Sequence, residues 1–272
     1  MTSIKAAIWK SLLFLVLFAV IIAVLVIPYM KGIDKQLPIS IARLAQDFIS
    51  VVSVLFATWI MTKYIDKREL TSIGFKNKNV AKDIFFGIIL ALFWVLISFL
   101  GQNIFGTIDR TSSELSFNTS FLSYTVALLL NAGSQEILCR GYLFQTIRKN
   151  IGLKTAVITT SLIFLLMHAG ALQAGIIPSL NVFGAGIIFA IAYYKTGQLW
   201  LPITLHFVWN FMYSSILYKP ISGYQGLELF QTNGSNLLAG GENGVEATII
   251  TTFTIIIVIL IEQFFMKSRV EK

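Results

Sequence analysis

The chain has two histidines, His168 and His206, and both lie inside long apolar runs. Ionisable side chains at membrane depth cost several kcal/mol on insertion scales, so each one asks for a reason. Once loops and segment ends are set aside, the candidates are Glu136 with Arg140, His168, and His206 with Asn210. Glu136 and Arg140 are four residues apart, as are Phe164 and His168, and His206 and Asn210. On a helix that spacing puts both members on one face. If the three faces converge, one interior site holds a carboxylate, two imidazoles and a carboxamide. Such a set can bind and activate a water. A carboxylate or neutral imidazole takes the proton, and the other groups orient the water or stabilise an oxyanion. The same set would equally hold a divalent metal such as zinc, on His168 and His206 with a carboxylate. Each residue also has a plainer use. A Glu–Arg pair can fix helix packing, and a lone intramembrane His or Asn often bonds a neighbouring helix. It is their joint occurrence that points to chemistry. Cys139 reads as a small packing residue, because its one cationic neighbour, Arg140, is engaged by Glu136.

The elements that must position these groups are membrane helices. Of 272 residues, 56% are hydrophobic and only 12% charged, against roughly a quarter charged in soluble domains. That excludes a soluble enzyme, a disordered chain and a disulfide scaffold. The expected fold class is all-α, a polytopic membrane helix bundle of about eight spans at roughly 20 residues each. The apolar runs are continuous and not alternating, which favours helices over a barrel. They predict spans over Ser11–Met30, Ile39–Ile65, Asp83–Phe105, Ser120–Ile147, Lys154–His168, Ala174–Tyr194, Leu199–Leu217 and Ala247–Met266. Arg43 and Asp47, four apart in the second span, can pair on one face near the interface. The aromatic residues Trp94, Trp200 and Trp209 read as interfacial or packing groups. Residues 1–272 form a single membrane domain whose motif-bearing core is 131–213.

The net charge of +8 is an orientation signal. With the N-terminus inside, the inner segments collect Lys5, Lys10, the basic run from Lys63 to Lys82, Arg148, Lys149, Lys154, Lys195 and Lys267–Lys272. The outer segments hold only Lys31, Lys35, Arg110 and Lys219, together with Asp109, Glu114, Glu228, Glu242 and Glu246. This asymmetry predicts cytoplasmic termini in a multi-pass plasma membrane. The partners expected are membrane lipids, not nucleic acid. The long loop Lys219–Glu246, rich in Gly, Asn and Ser, is expected outside as irregular chain. His206 lies about seven residues, roughly 10 Å, past the inner end of its span, whereas His168 lies near the outer end of the fifth. The two can meet if the fifth helix starts later than Lys154, with Asn150-Ile151-Gly152 as a turn. That puts the site in the inner half of the membrane.

The segment Ser134-Gln135-Glu136-Ile137-Leu138-Cys139-Arg140 resembles the EExxxR motif of the CPBP intramembrane proteases, the CAAX prenyl protease and bacteriocin-processing (Abi) family. Phe164-Leu165-Leu166-Met167-His168 resembles its FxxxH motif, and His206-Phe207-Val208-Trp209-Asn210 its HxxxN motif. Order and separations are family-like. The resemblance implies a bacterial membrane-embedded endopeptidase acting near the C-terminus of lipidated or hydrophobic peptides. Its first motif Glu, the two His and the Asn would surround a catalytic water, with the second Glu and the Arg in support. Gln135 departs from the motif at its first Glu, and a carboxamide is no general base. Glu136 points about 100° further around the helix. Three readings stand: a shifted site with Glu136 as base, a substitution introduced at Gln135 to trap an inactive enzyme, and a silent member serving bacteriocin self-immunity or regulation. A small transporter is a fourth, with no polar stripe or internal repeat to support it.

Overall fold

The computed structural model describes residues 3–32, 37–111, 117–217, 229–234 and 237–269. Ten α-helices follow in chain order among them. Helix α1 is Ile4–Gly32, α2 Ile39–Ile60, α3 Val80–Ile104, α4 Thr119–Glu136 and α5 Gln145–Asn150. Then come α6 Leu153–Leu166, α7 Ala169–Ala174, α8 Ile176–Thr196, α9 Trp200–Phe211 and α10 Ile249–Phe265. Two three-residue strands, β1 Ile108–Arg110 and β2 Phe230–Thr232, pair antiparallel. The chain is an all-α membrane helix bundle, and every expected span coincides with a helix.

Four helical stretches, Ile4–Tyr29, Ile39–Ile65, Val80–Ile104 and Ile176–Thr196, are long and apolar enough to cross a membrane. The others are shorter or interrupted. Helix α6 has 14 residues and α10 has 17. Wider, π-type winding interrupts the rest: Met61–Ile65 after α2, Ile137–Phe144 between α4 and α5, and Met212–Leu217 after α9. Such segments insert an extra residue per turn and re-aim the side chains that follow.

Helix α2 packs on α4, α3 on α9, and α8 between α6 and α10. Small residues allow these approaches. A Cβ on Gly186 of α8 would lie 3.0 Å from the backbone Cα of Ser161 on α6, and one on Gly87 of α3 2.8 Å from Thr204 Cβ on α9. The apolar side chains turned outward, such as Val16, Val20, Leu96 and Phe253, suit lipid. Arg43 Nε lies 3.4 Å from Asp47, so the expected pair forms. It is not simply interfacial, since Asp47 is buried and also accepts from Asn131 Nδ2 at 2.9 Å.

The basic residues gather at one end of the bundle. There Lys10 pairs with Asp66 at 2.5 Å, and Arg269 with the enclosed Asp83 at 2.6 Å. The opposite end carries the β1–β2 pair and the 3-10 turn Gly241–Ala247. The loop expected to be irregular from Lys219 to Glu246 is therefore partly built, with a strand and a 3-10 turn. Its residues 219–228 and 235–236 lie outside the described residues, as do Lys35, Glu114 and Lys272.

Candidate active site

The α4–α5 stretch delivers the acid and the base of the first motif. Glu136 is the last α-helical residue before the wide turn, and Arg140 lies inside that turn. Both are fully enclosed. Arg140 Nε lies 3.3 Å from Glu136 Oε2, and Arg140 Nη1 donates to Oε1 at 3.3 Å. The guanidinium also donates from Nη2 to the Gly186 carbonyl of α8 at 2.7 Å. Its flat faces lie against Phe164 and Phe189, at 4.9 and 5.5 Å from the ring centroids. A buried cation with this many partners is fixed in place and compensates the carboxylate beside it.

Helix α9 supplies His206. The turn before it depends on Gly197, whose left-handed φ of 68° ends α8 while its N–H donates to the Tyr193 carbonyl at 2.7 Å. Leu199 N–H then donates to the Gly74 carbonyl at 3.0 Å. Leu199 and Ile73 are fully buried, so the side chains that start α9 pack inward, while the turn itself stays beside the basic loops, where Gln198 Nε2 donates to the Lys78 carbonyl at 2.5 Å. His206 Nδ1 lies 3.0 Å from Glu136 Oε1. With the carboxylate ionised, Nδ1–H donates, which leaves Nε2 as the acceptor nitrogen. The ring stacks on Phe189 at 4.6 Å.

Helix α6 ends at Leu166, and His168 occupies the bend before α7. Its Nδ1–H donates to the Phe164 carbonyl at 2.7 Å, so its Nε2 is likewise the acceptor. Phe164 is the shared wall, 4.5 Å from the His168 ring and 5.5 Å from that of His206. The fifth span does not start late: α6 begins at Leu153, after the turn at Ile151-Gly152. The histidines meet across the shared Phe164 ring, His206 from the middle of α9 and His168 from the bend after α6.

His168, His206 and Asn210 border one cavity of about 30 Å³, room for one or two waters. Trp94, Trp209, Asn181, Thr251 and Glu246 complete its wall. Asn181, Thr251 and Glu246 come from the first turns of α8 and α10 and the turn before α10. The cavity thus sits toward the end opposite the basic loops, not in the half of the bundle nearest them as the span arithmetic suggested.

Glu136 and Gln135 do not border the cavity. Glu136 sits behind His206. Gln135 turns the other way, donating from Nε2 to Asn131 Oδ1 at 2.9 Å, and Asn131 in turn donates to Asp47. Gln135 therefore belongs to a polar chain between α4 and α2. Cys139 is buried, with Sγ 3.9 Å from Met167 Sδ. Trp94 and Trp209 are buried and stacked at 3.8 Å, while Trp200 Nε1 donates to the Lys76 carbonyl near the basic end.

The residue that sequence reasoning missed is Glu246. It was counted among outer-loop acids, where a carboxylate is unremarkable. Trp209 Nε1 donates to Glu246 Oε1 at 3.4 Å, and Asn181 Nδ2 donates to its backbone carbonyl at 2.8 Å. Burial raises its carboxyl above the ordinary value, partly offset by the Trp209 hydrogen bond and by His206. The zinc reading finds no adequate donor set. Among the described residues no three His, Cys, Asp or Glu converge as metal ligands, and Glu136 is already held by Arg140 and His206.

Residues 117–212 match the family model for type II CAAX prenyl endopeptidase Rce1-like proteins. This segment contains all three motifs. The match covers about a third of the chain, and over that segment the chain is similar to the CAAX prenyl endopeptidases. No curated protein and no solved structure gives a significant match. The matched segment runs from α4 through α9 and carries the residues that meet at the cavity.

Proposed function

We propose that this CAAX-protease-type chain is an active membrane-embedded endopeptidase that hydrolyses a peptide bond in a hydrophobic or lipidated substrate. The supporting observation is the shared cavity. Two histidines, each with Nδ1 committed to a carboxylate or carbonyl, face one small space beside Asn210. A water there is oriented by acceptor nitrogens. When it attacks a peptide carbonyl, the oxygen that gains charge meets the Asn210 carboxamide, a donor of the oxyanion-stabilising kind. Glu136 acts through His206, fixing its tautomer and ring plane, and Arg140 holds Glu136 in place. Both termini are cytoplasmic and the membrane is the plasma membrane, in keeping with the positive charge of one end.

The replacement at Gln135 favours a second reading, a silent member of the fold that binds without cutting. One assay separates the two. The full chain in lipid vesicles is given an internally quenched peptide ending in a farnesylated cysteine followed by three residues, the general CAAX pattern. We expect cleavage by the native chain, at least 100-fold slower cleavage by His206→Ala, and no loss with a chelator. A native chain no faster than His206→Ala leaves the silent reading.

A further inference from the structure

We propose that Glu246 is the general base of this site, supplying from outside the matched core the carboxylate that the first motif lacks at Gln135. The inference rests on the endopeptidase reading and names the group that takes the proton.

Placement carries it. Among the described residues Glu246 is the one carboxylate bordering the cavity that His168, His206 and Asn210 share. Glu136 is fully enclosed behind His206, and Gln135 faces Asn131. Glu246 is also held there. Its Oε1 accepts from Trp209, whose indole is stacked on Trp94, and its backbone carbonyl accepts from Asn181. The residue before it is buried, and the Val245 carbonyl accepts from Thr251 Oγ1 at 2.7 Å and Thr248 Oγ1 at 3.0 Å. The 3-10 turn Gly241–Ala247 is thus tied to the start of α10 and aims a carboxylate inward.

Charge balance favours a carboxylate over an imidazole as the proton acceptor. Glu136 and Arg140 compensate one another, so His206 faces a pair with no net charge. Protonating His206 or His168 would create a new buried cation, whereas protonating Glu246 removes a buried anion. Its raised pKa also brings it toward the range in which a base is most effective.

The step balances as follows. Glu246 takes one proton from water as the water oxygen bonds to the peptide carbonyl carbon. The carbonyl π pair moves to its oxygen, which Asn210 stabilises. As that pair returns, the carbon–nitrogen bond breaks, and the Glu246 proton passes to the departing amine. A carboxylic acid and an amine are released and the carboxylate is restored.

The test uses the full chain in vesicles with the same quenched farnesyl peptide. Glu246→Gln, a near-isosteric change, should lower kcat at least 100-fold with KM little altered, the scale of a lost general base. Formate should restore part of the activity of Glu246→Ala and none to His206→Ala, which a purely structural role for Glu246 would not give. Gln135→Glu should cleave no faster than the native chain, because its side chain faces Asn131 and not the cavity. If the native chain cleaves well above His206→Ala while Glu246→Gln loses less than tenfold, Glu246 is not the base and the endopeptidase reading survives. A native chain no faster than His206→Ala removes both.

Discussion

Arg140 is enclosed between Phe164 and Phe189 with Glu136, itself fully buried, within hydrogen-bond reach. Removing the guanidinium alone strands a buried carboxylate, which costs about 3–5 kcal/mol. Removing both charges with groups of similar shape is far milder. Arg140→Met should therefore melt well below Glu136→Gln/Arg140→Met in detergent, and equal melting temperatures would mean that the pair is not compensated as drawn. Glu246 permits a pH experiment. Its carboxyl is raised by burial, so the folded state holds the proton more tightly than the unfolded one. Its stabilising contribution is present below the ordinary carboxylate range and is lost as pH rises through the raised value. As pH rises above the ordinary carboxylate range the native chain should lose melting temperature relative to Glu246→Gln, which has no proton to release there. The histidine and Glu–Arg positions were legible in the sequence because charge is rare in apolar helices and marks itself. Glu246 was not, because an acid in a polar loop has no contrast with its surroundings.

At the scale of elements, hydropathy showed where helices run but not how they wind. The wide turn Ile137–Phe144 leaves no trace in an apolar run, yet it sets which way Arg140 and the residues after it point. The anchoring of the α9 start was equally hidden, since it depends on Leu199 meeting Gly74, far away in the chain. Both effects are tertiary, and counting residues along spans misses them. Helix contact can be tested at Gly186, where α8 nearly touches α6 and whose carbonyl accepts from Arg140. Gly186→Ala forces a shift against the Ser161 backbone and should cost about 1–3 kcal/mol by overpacking. Gly170→Ala in α7, where an added Cβ meets nothing within 4 Å, should leave thermal melting unchanged.

The molecule as a whole is uneven in height. Helices α1, α2 with its continuation, α3 and α8 reach across a bilayer, but α6 has 14 residues, about 21 Å at 1.5 Å per residue. Its outward side chains Ile158, Leu162 and Leu166 are exposed apolar groups, so lipid must meet them. The hydrocarbon layer is about 30 Å thick and must thin to match so short a surface. His168 follows at once on that helix's end. The elastic cost of compressing the bilayer thus falls beside the site, and headgroups and water are drawn toward its level. Vesicles of short-chain lipid should support faster peptide cleavage than long-chain vesicles of the same headgroup, and rates independent of chain length would dismiss the idea. A protein built this way would favour the thinner membranes of a cell, and a substrate held by its own lipid would bring its peptide bond close to the cavity where the bilayer dips.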